Sequence, residues 1–301
     1  MATRFELVLS PEHDGDEPRL RAIGEEALAE IARLETRLSV FQPTSDISWI
    51  NANAGHRAVK VEPGLFGLLQ RCLALSAATD GAFDVTVGPL MRLWKVRGDP
   101  DDLLDDRPLP SPETVAEART RVGYQHIRLD PRTSTIRFAR QGMGLDLGAA
   151  GKGYAIGEAI AVLAAHGCTS ALLHGGTSSL HAIGQPHDGD AWRIGWNPPG
   201  APGHVFELRS GALSVSAVHG RAFWSEGRQY GHVVDPCTGW PTDAATSAVV
   251  TGPASLECDA LSTALLVLGP GWLPSLRSRF PGYDGHAAAS TAATATRTRL
   301  P

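Results

Sequence analysis

Three side chains in the C-terminal third of the chain carry the most specific chemical promise. In Glu257-Cys258-Asp259-Ala260-Leu261-Ser262-Thr263 a carboxylate and a hydroxyl stand four residues apart, so Asp259 and Thr263 share one face of a predicted helix. Both are hard oxygen donors of the kind that suits magnesium, which takes one or two carboxylates and completes its octahedron with carbonyls, water and substrate phosphate. The pair also fits a plainer role, an aspartate favoured in a first turn by the helix dipole and a threonine bonding back into its own helix. In Tyr230-Gly231-His232-Val233-Val234-Asp235-Pro236-Cys237-Thr238-Gly239 a histidine on a short predicted strand precedes an aspartate entering a Pro/Gly turn. The unperturbed pKa of a histidine side chain lies near neutrality, so His232 suits a general base. It equally suits capping of a neighbouring carbonyl, with Asp235 bonding its own turn. A zinc set of His232, Cys237 and Cys258 has no familiar ligand spacing.

Two glycine-rich segments add weaker signals. Leu145-Asp146-Leu147-Gly148-Ala149-Ala150-Gly151-Lys152-Gly153-Tyr154 reads as a strand end running into a helix, where backbone amides can approach an anion and Lys152 can neutralise a phosphate. It matches neither the Walker pattern nor G-x-G-x-x-G, and tight strand-to-helix packing with a solvated lysine explains it as well. Leu173-His174-Gly175-Gly176-Thr177-Ser178-Ser179 brings two glycines and three hydroxyls to the end of a predicted strand, as a polar pocket wall or as an ordinary turn.

These segments need elements to hold them. Apolar residues from Leu20 through Ile23, Ala27, Leu28, Ile31, Leu34 and Leu38 recur at helical steps, and a second helix runs from Leu65 to a stop at Asp80-Gly81, with a loop containing Pro43 to Asp46 between. Ser111-Pro112 caps a helix that ends near Gly123, and 126–129 with 135–138 alternates as a hairpin. From 144 to 184 the order is strand, glycine-rich turn, helix and strand. Short strands follow at 192–196, 204–208, 213–218, 230–234 and 247–250, then a helix from Pro253-Ala254-Ser255 to Gly269-Pro270. Residues 285–301 are low in complexity and expected to be a disordered tail.

At 301 residues the chain suits one large α+β domain or a main domain with an appendage. Its 43% apolar and 20% charged residues are those of a packed globular protein. A net charge of −5 without a basic run argues against nucleic acid as a partner. The N-terminal segment shows no basic region followed by a long apolar stretch, and no later run approaches membrane-spanning length, so a cytoplasmic protein without membrane insertion is expected. Four scattered cysteines without a C-x-x-C pair read as reduced thiols.

Taken together and in order, these segments resemble the ApbE-type FAD:protein FMN transferases, from about Leu38 to Gly269. Leu38 to Asn51 (LSVFQPTSDISWIN) is similar to the family's first motif and Thr79 to Leu90 (TDGAFDVTVGPL) to its second. Asp146 to Tyr154 resembles D-L-G-x-x-x-K-G-Y, His232 to Gly239 resembles H-x-x-D-P-x-T-G, and Asp259 to Gly269 resembles D-A-x-x-T-x-x-x-x-x-G. The resemblance implies an α+β fold over residues 1–284, with a tunnelling-fold-like (T-fold) core of mixed, mostly antiparallel sheet beside a smaller α/β domain. It implies cleavage of FAD at its pyrophosphate, loss of AMP, and attachment of FMN through a phosphoester to a threonine or serine of an acceptor flavoprotein. By the same resemblance magnesium would sit on Asp259, Thr263 and the carbonyl of Ala149, with His232 as proton acceptor. FAD contacts would fall at Asn51, Ala82, Phe83, Asp84, Lys152, Gly175, Gly176, Thr177, Ser216 and Asp235. Thr177, Gly157 and Gly231 replace an aspartate, an acidic residue and a histidine of the family pattern, and no C-terminal strand is evident after Tyr283. An FAD pyrophosphatase releasing FMN and AMP, or a flavin binder without catalysis, are the alternative expectations.

Overall fold

The apolar spacing that begins at Leu20 becomes α1 (Glu17–Leu38), which buries Ile23, Ala27, Ile31, Leu34 and Leu38 on one stripe and follows a short strand, β1 (Phe5–Leu9). The computed structural model describes residues 3–11, 16–94, 108–218, 222–225 and 228–289. Where a loop is expected, α2 (Asp46–Asn53) forms: the Ser45 hydroxyl accepts the Ser48 N–H, and only Ile47 and Ile50 turn inward. Eight residues with two buried positions carry too little periodicity to read as a helix. Next come β2 (Val59–Lys60), α3 (Pro63–Ala78), α4 (Gly88–Trp94) and α5 (Pro112–Arg119), the last capped by Ser111 as expected. The predicted hairpin is β3 (Ile127–Asp130) with β4 (Thr135–Phe138), and β2 extends it to three strands.

The second half alternates helix and sheet: α6 (Gly151–Ala165), β5 (Ala171–Gly175), β6 (Ser179–Ile183), β7 (Trp192–Trp196), β8 (His204–Leu208), β9 (Gly211–Ala217), β10 (Ala222–Ser225), β11 (Arg228–Gly231), β12 (Ala245–Gly252), α7 (Ser255–Leu268), α8 (Leu273–Arg279) and β13 (Asp284–Ala289). The main sheet runs β1-β5-β6-β9-β12-β13, and every strand pairing among the described residues is antiparallel. Helices α6 and α7 cover one face, with α1 packed on α6. The β7–β8 hairpin covers the other, where Leu180, Trp196, Leu213, Val249 and Ala288 form a core of their own. Because successive strand residues point to opposite faces, Ser179 and His181 of β6 and Ser214 and Ser216 of β9 all lie on the helix side.

Three expectations need correction. The segment Leu145–Leu147 joins no sheet: the Asp146 N–H donates to the Val85 carbonyl, and Leu145 is held by a side chain, so α6 is entered from a loop and not from a strand. His232 lies in a bend just past β11, not on a strand, because Gly231 is the last residue paired with β10. Residues 285–289, expected to begin a disordered tail, form with Asp284 the edge strand β13 on β12. Their small side chains, which make the stretch look low in complexity, let it lie close beside β12 and α8; a Cβ at Gly285 would come within 2.7 Å of the Val249 carbonyl oxygen. Residues 290–301 of the expected tail lie outside the described residues.

A separate aromatic cluster joins α4, α5 and the β10–β11 hairpin: Leu90, Trp94, Val115, Ala118, Phe223 and Val234, with the Trp94 ring 5.2 Å from that of Trp240. All four cysteines are free; Cys72, Cys168 and Cys258 are buried, and burial pushes the Cys72 thiol up to about 12. No helix among the described residues is long and apolar enough to cross a membrane.

Candidate active site

The centre of the site is the start of α6. Ala150 at the N-cap has no side chain to offer the first turn, and the missing acceptor comes from another helix: Asp259 Oδ2 on α7 accepts the Gly153 N–H at 2.9 Å. Glycine is required there. A Cβ on residue 153 would stand 2.3 Å from the Ser255 carbonyl oxygen and 2.7 Å from the Asp259 Cβ, so the helices meet backbone to backbone and two distant motifs are brought into contact. Asp259 is only 4% exposed, and its second oxygen, Oδ1, accepts the Ser179 hydroxyl at 3.3 Å.

Hydroxyls surround this carboxylate. The Asp259 carbonyl accepts from Ser262 Oγ at 3.0 Å and from Thr263 Oγ1 at 3.2 Å, the back-bonding that its position in a helix allows. Ser216 Oγ on β9 lies 2.9 Å from Ser262 Oγ and 3.1 Å from Thr263 Oγ1. Lys152 donates to Ser178 Oγ in the β5–β6 turn, and its stem passes over Gly175, where a Cβ would lie 3.3 Å from Lys152 Cδ. Gly176 and exposed Thr177 occupy that same turn, and Ala149 lies in the turn at the foot of α6. Lys152, Gly175, Ser216, Asp259 and Thr263 are thus assembled in one hydrogen-bonded neighbourhood.

The other expected flavin contacts are buried or hydrogen-bonded within the chain. Asp84 is buried; its Oδ1 accepts the Thr86 N–H at 2.8 Å and the Thr86 hydroxyl at 2.7 Å, and its Oδ2 accepts the Tyr124 N–H at 2.8 Å. Burial raises its carboxyl above the ordinary range against those bonds. Ala82 and Phe83 are buried in the main core. Asp235 Oδ1 accepts the Cys237 N–H at 2.8 Å and shapes its own turn. Asn51 uses both ends of its amide on one residue: Nδ2 donates to the Leu145 carbonyl at 2.9 Å, and Oδ1 accepts the Leu145 N–H at 2.6 Å. It thereby holds the segment that leads into α6.

His232 is partly buried beside the end of β9. The Gly231 backbone abuts Val218, two residues beyond Ser216, so closely that a Cβ at 231 would stand 3.0 Å from Val218 Cβ and 3.1 Å from its carbonyl oxygen. A side chain at 231 would require Val218 to shift by a few tenths of an ångström.

As a metal centre the donors are chemically consistent. A carboxylate, a hydroxyl and a main-chain carbonyl are all hard oxygens, and the Asp259 carboxylate accepts two hydrogen bonds with capacity for about four. Among the described residues no three His, Cys, Asp or Glu side chains gather, so the His232, Cys237 and Cys258 zinc set is not assembled.

The sequence model of the ApbE family matches residues 1–284. The chain belongs to the ApbE family. An FAD:protein FMN transferase of Treponema pallidum is 32% identical over 279 residues, covering 86% of this chain and 75% of the relative. One of Klebsiella pneumoniae is 27% identical over 262 residues, 85% of this chain and 73% of the relative. Among solved structures, an ApbE protein of Thermotoga maritima superposes with a TM-score of 0.83 at 28% identity over 95% of this chain and 90% of its own. The apo flavinyl transferase ApbE of Pseudomonas stutzeri gives 0.77 at 28%, over 95% of each chain. The mixed α+β fold with antiparallel sheets is the fold of these ApbE structures.

Several residues of this ApbE-family site carry no ligand role from sequence, where Ser178 and Ser179 read only as hydroxyls of a pocket wall or turn. Ser178, Ser179 and Ser262 bond directly to Lys152, Asp259 and the Asp259 carbonyl. His181 Nδ1 is hydrogen-bonded to Ser255 Oγ at 2.6 Å, and burial pushes the imidazole down to about 4. The pair lines a cavity of about 200 Å³ with Arg71, Tyr154 and Glu158. The alternation of β6 places 179 and 181 on one face, a signal present in the sequence once that strand is recognised.

Proposed function

We propose that this chain is a magnesium-dependent FAD:protein FMN transferase, cleaving the pyrophosphate of FAD, releasing AMP and joining FMN to a threonine or serine hydroxyl of an acceptor flavoprotein. The observation that carries the reading is the meeting of Lys152–Gly153, Ser178–Ser179, Ser216 and Asp259–Thr263 at the N-terminus of α6 in an ApbE-family chain. A helix N-terminus with a lysine beside it offers positive potential to a diphosphate. Asp259, Thr263 and the Ala149 carbonyl would hold the magnesium, which when bound supplies charge neutralisation on phosphoryl oxygens. Lys152 would orient the phosphates from the β5–β6 turn. His232 would take the proton of the attacking hydroxyl, and Asn51, Asp84 and Asp235 would keep the surrounding loops in place. In the same reading the six-stranded sheet with α6 and α7 is the tunnelling-fold-like core, and the Trp94 cluster belongs to the smaller unit.

Incubation of the full chain with FAD, magnesium and a flavoprotein domain bearing an acceptor threonine should yield an FMN adduct by mass spectrometry, with one AMP per adduct. FAD bound without adduct overturns the proposal. AMP and free FMN formed without any acceptor identify a pyrophosphatase instead.

A further inference from the structure

Ser214 stands out within the hydroxyl cluster. It is on β9, directly opposite Ser179 of β6, and opposed residues of an antiparallel pair project to the same face with Cβ atoms about 4.5–5.5 Å apart. That face is the one on which Ser179 meets Asp259. Ser214 is 0% exposed and its Oγ has no hydrogen-bond partner, whereas Ser179, Ser216, Ser262 and Thr263 are all bonded. A fully buried, unpartnered hydroxyl is rare enough to need a cause.

Asp259 supplies one. Its two oxygens are held unequally: Oδ2 by the Gly153 N–H at 2.9 Å, Oδ1 only by the Ser179 hydroxyl at 3.3 Å. Oδ1 is therefore the oxygen that can be given up to a cation, and a hydroxyl proton directed at it opposes a positive ion there. The displaced Ser179 hydroxyl then needs another acceptor. Ser216 is already engaged with Ser262 and Thr263, and the β12 residues across from Ser214 and Ser216 are Val250 and Ala248, which offer no polar side chain.

We propose that Ser214 is a positioning residue for magnesium binding, accepting the Ser179 hydroxyl when Asp259 Oδ1 turns to the cation. The inference rests on the magnesium reading of Asp259 given above. No bond is lost in the metal-free protein when Ser214 becomes alanine, so its effect falls on the loaded state alone.

The test titrates magnesium chloride into the full chain, with and without FAD, by calorimetry and by the magnesium-induced rise in melting temperature. Ser214→Ala should leave the metal-free melting temperature unchanged or higher and weaken magnesium binding roughly three- to tenfold, the scale of one net hydrogen bond. The double variant Ser179→Ala/Ser214→Ala should regain wild-type affinity, because the competing donor is gone. Wild-type affinity in Ser214→Ala, no recovery in the double variant, or a lower metal-free melting temperature in Ser214→Ala each overturns the proposal. Asp259→Ala separates the two levels. If it loses magnesium while Ser214→Ala keeps it, only the role of Ser214 fails; if it binds as wild type does, the magnesium reading fails as well.

Discussion

Two neighbourhoods of this protein are built from the same residue types and do opposite things with them. Around Asp84 both carboxylate oxygens are held by donors at 2.7–2.8 Å, two backbone N–H groups and the Thr86 hydroxyl, and Thr86 in turn accepts the Gly123 N–H at 2.7 Å. Every bond there fixes a loop. Around Asp259 one carboxylate oxygen is fixed by a helix amide, the other is loosely held, and the neighbouring side chains are hydroxyls that can donate or accept. The first arrangement has one hydrogen-bonding solution. The second has several, which a site that binds and releases charged groups requires. A motif aspartate is therefore assigned by what its oxygens are already committed to, not by its place in a pattern.

The largest effect should come from Asp259. Asp259→Asn keeps its size and removes its charge, so transfer should fall on the order of 10²–10³-fold, as for loss of a principal electrostatic group. The melting temperature should change much less, since one amide orientation still accepts the Gly153 N–H. Rates of FMN transfer measured beside thermal melts decide it. Equal damage to both would place Asp259 with Asp84 as framework and erase the contrast.

Asp84→Ala should do the reverse. It orphans the buried Thr86 N–H and hydroxyl and the part-buried Tyr124 N–H, a loss on the order of 4 kcal/mol before relaxation. Urea unfolding should show it directly, and FAD affinity measured well below the midpoint should stay near wild type. A stable variant that no longer binds FAD would move Asp84 into the binding surface.

How much of this was legible beforehand differs between the same two regions. Strands β7 and β8 fall where alternation and Gly/Pro turns place them, and α1 and α7 follow from their apolar stripes. Lys152, Asp259 and Thr263 could be singled out because ligand chemistry restricts residue type at helical spacing. What could not be read is commitment. Nothing local to Asn51 indicates that its amide is spent on Leu145, 94 positions away, or that Gly153 exists for the approach of Ser255 and Asp259. Ser179 and Ser214 become partners only through the register of β6 on β9, a pairing between distant segments. Strand β13 was hidden because alanine and glycine carry no hydrophobic period, although close packing is what they permit.

A pH titration sharpens the boundary of the loosely held region. Burial depresses His181 from 6.5 to about 4 while Nδ1 bonds Ser255, so the folded state holds this imidazole neutral. Between those values the unfolded chain binds more protons, and stability rises with pH. The contribution is full above about 6.5 and disappears as pH falls to about 4, amounting to up to about 3 kcal/mol. His181→Gln should flatten this part of the stability curve, read as the difference between the two proteins in urea melts from pH 4 to 7. An unchanged slope would mean that His181 is solvated and that the adjoining cavity is open to water.

The smallest expected effect tests the residue that stands between the two regions. Asn51 belongs to the framework by its bonds, yet it holds the segment that delivers Ala149 and the first turn of α6. Asn51→Ala removes two hydrogen bonds to the backbone of buried Leu145 and should cost about 1–2 kcal/mol. Asn51→Asp is the more telling change. It retains the acceptor for the Leu145 N–H but sets a carboxylate oxygen against the Leu145 carbonyl, where the native amide donates at 2.9 Å. If Asn51 is framework, Asp should be no better than Ala at pH 7 in urea unfolding, and both should shift magnesium affinity more than flavin affinity, because the displaced segment carries Ala149. If the amide instead serves the flavin, both variants should melt like wild type and lose FAD. The two outcomes differ in which measurement moves, so a small energy still decides on which side of the boundary the residue lies.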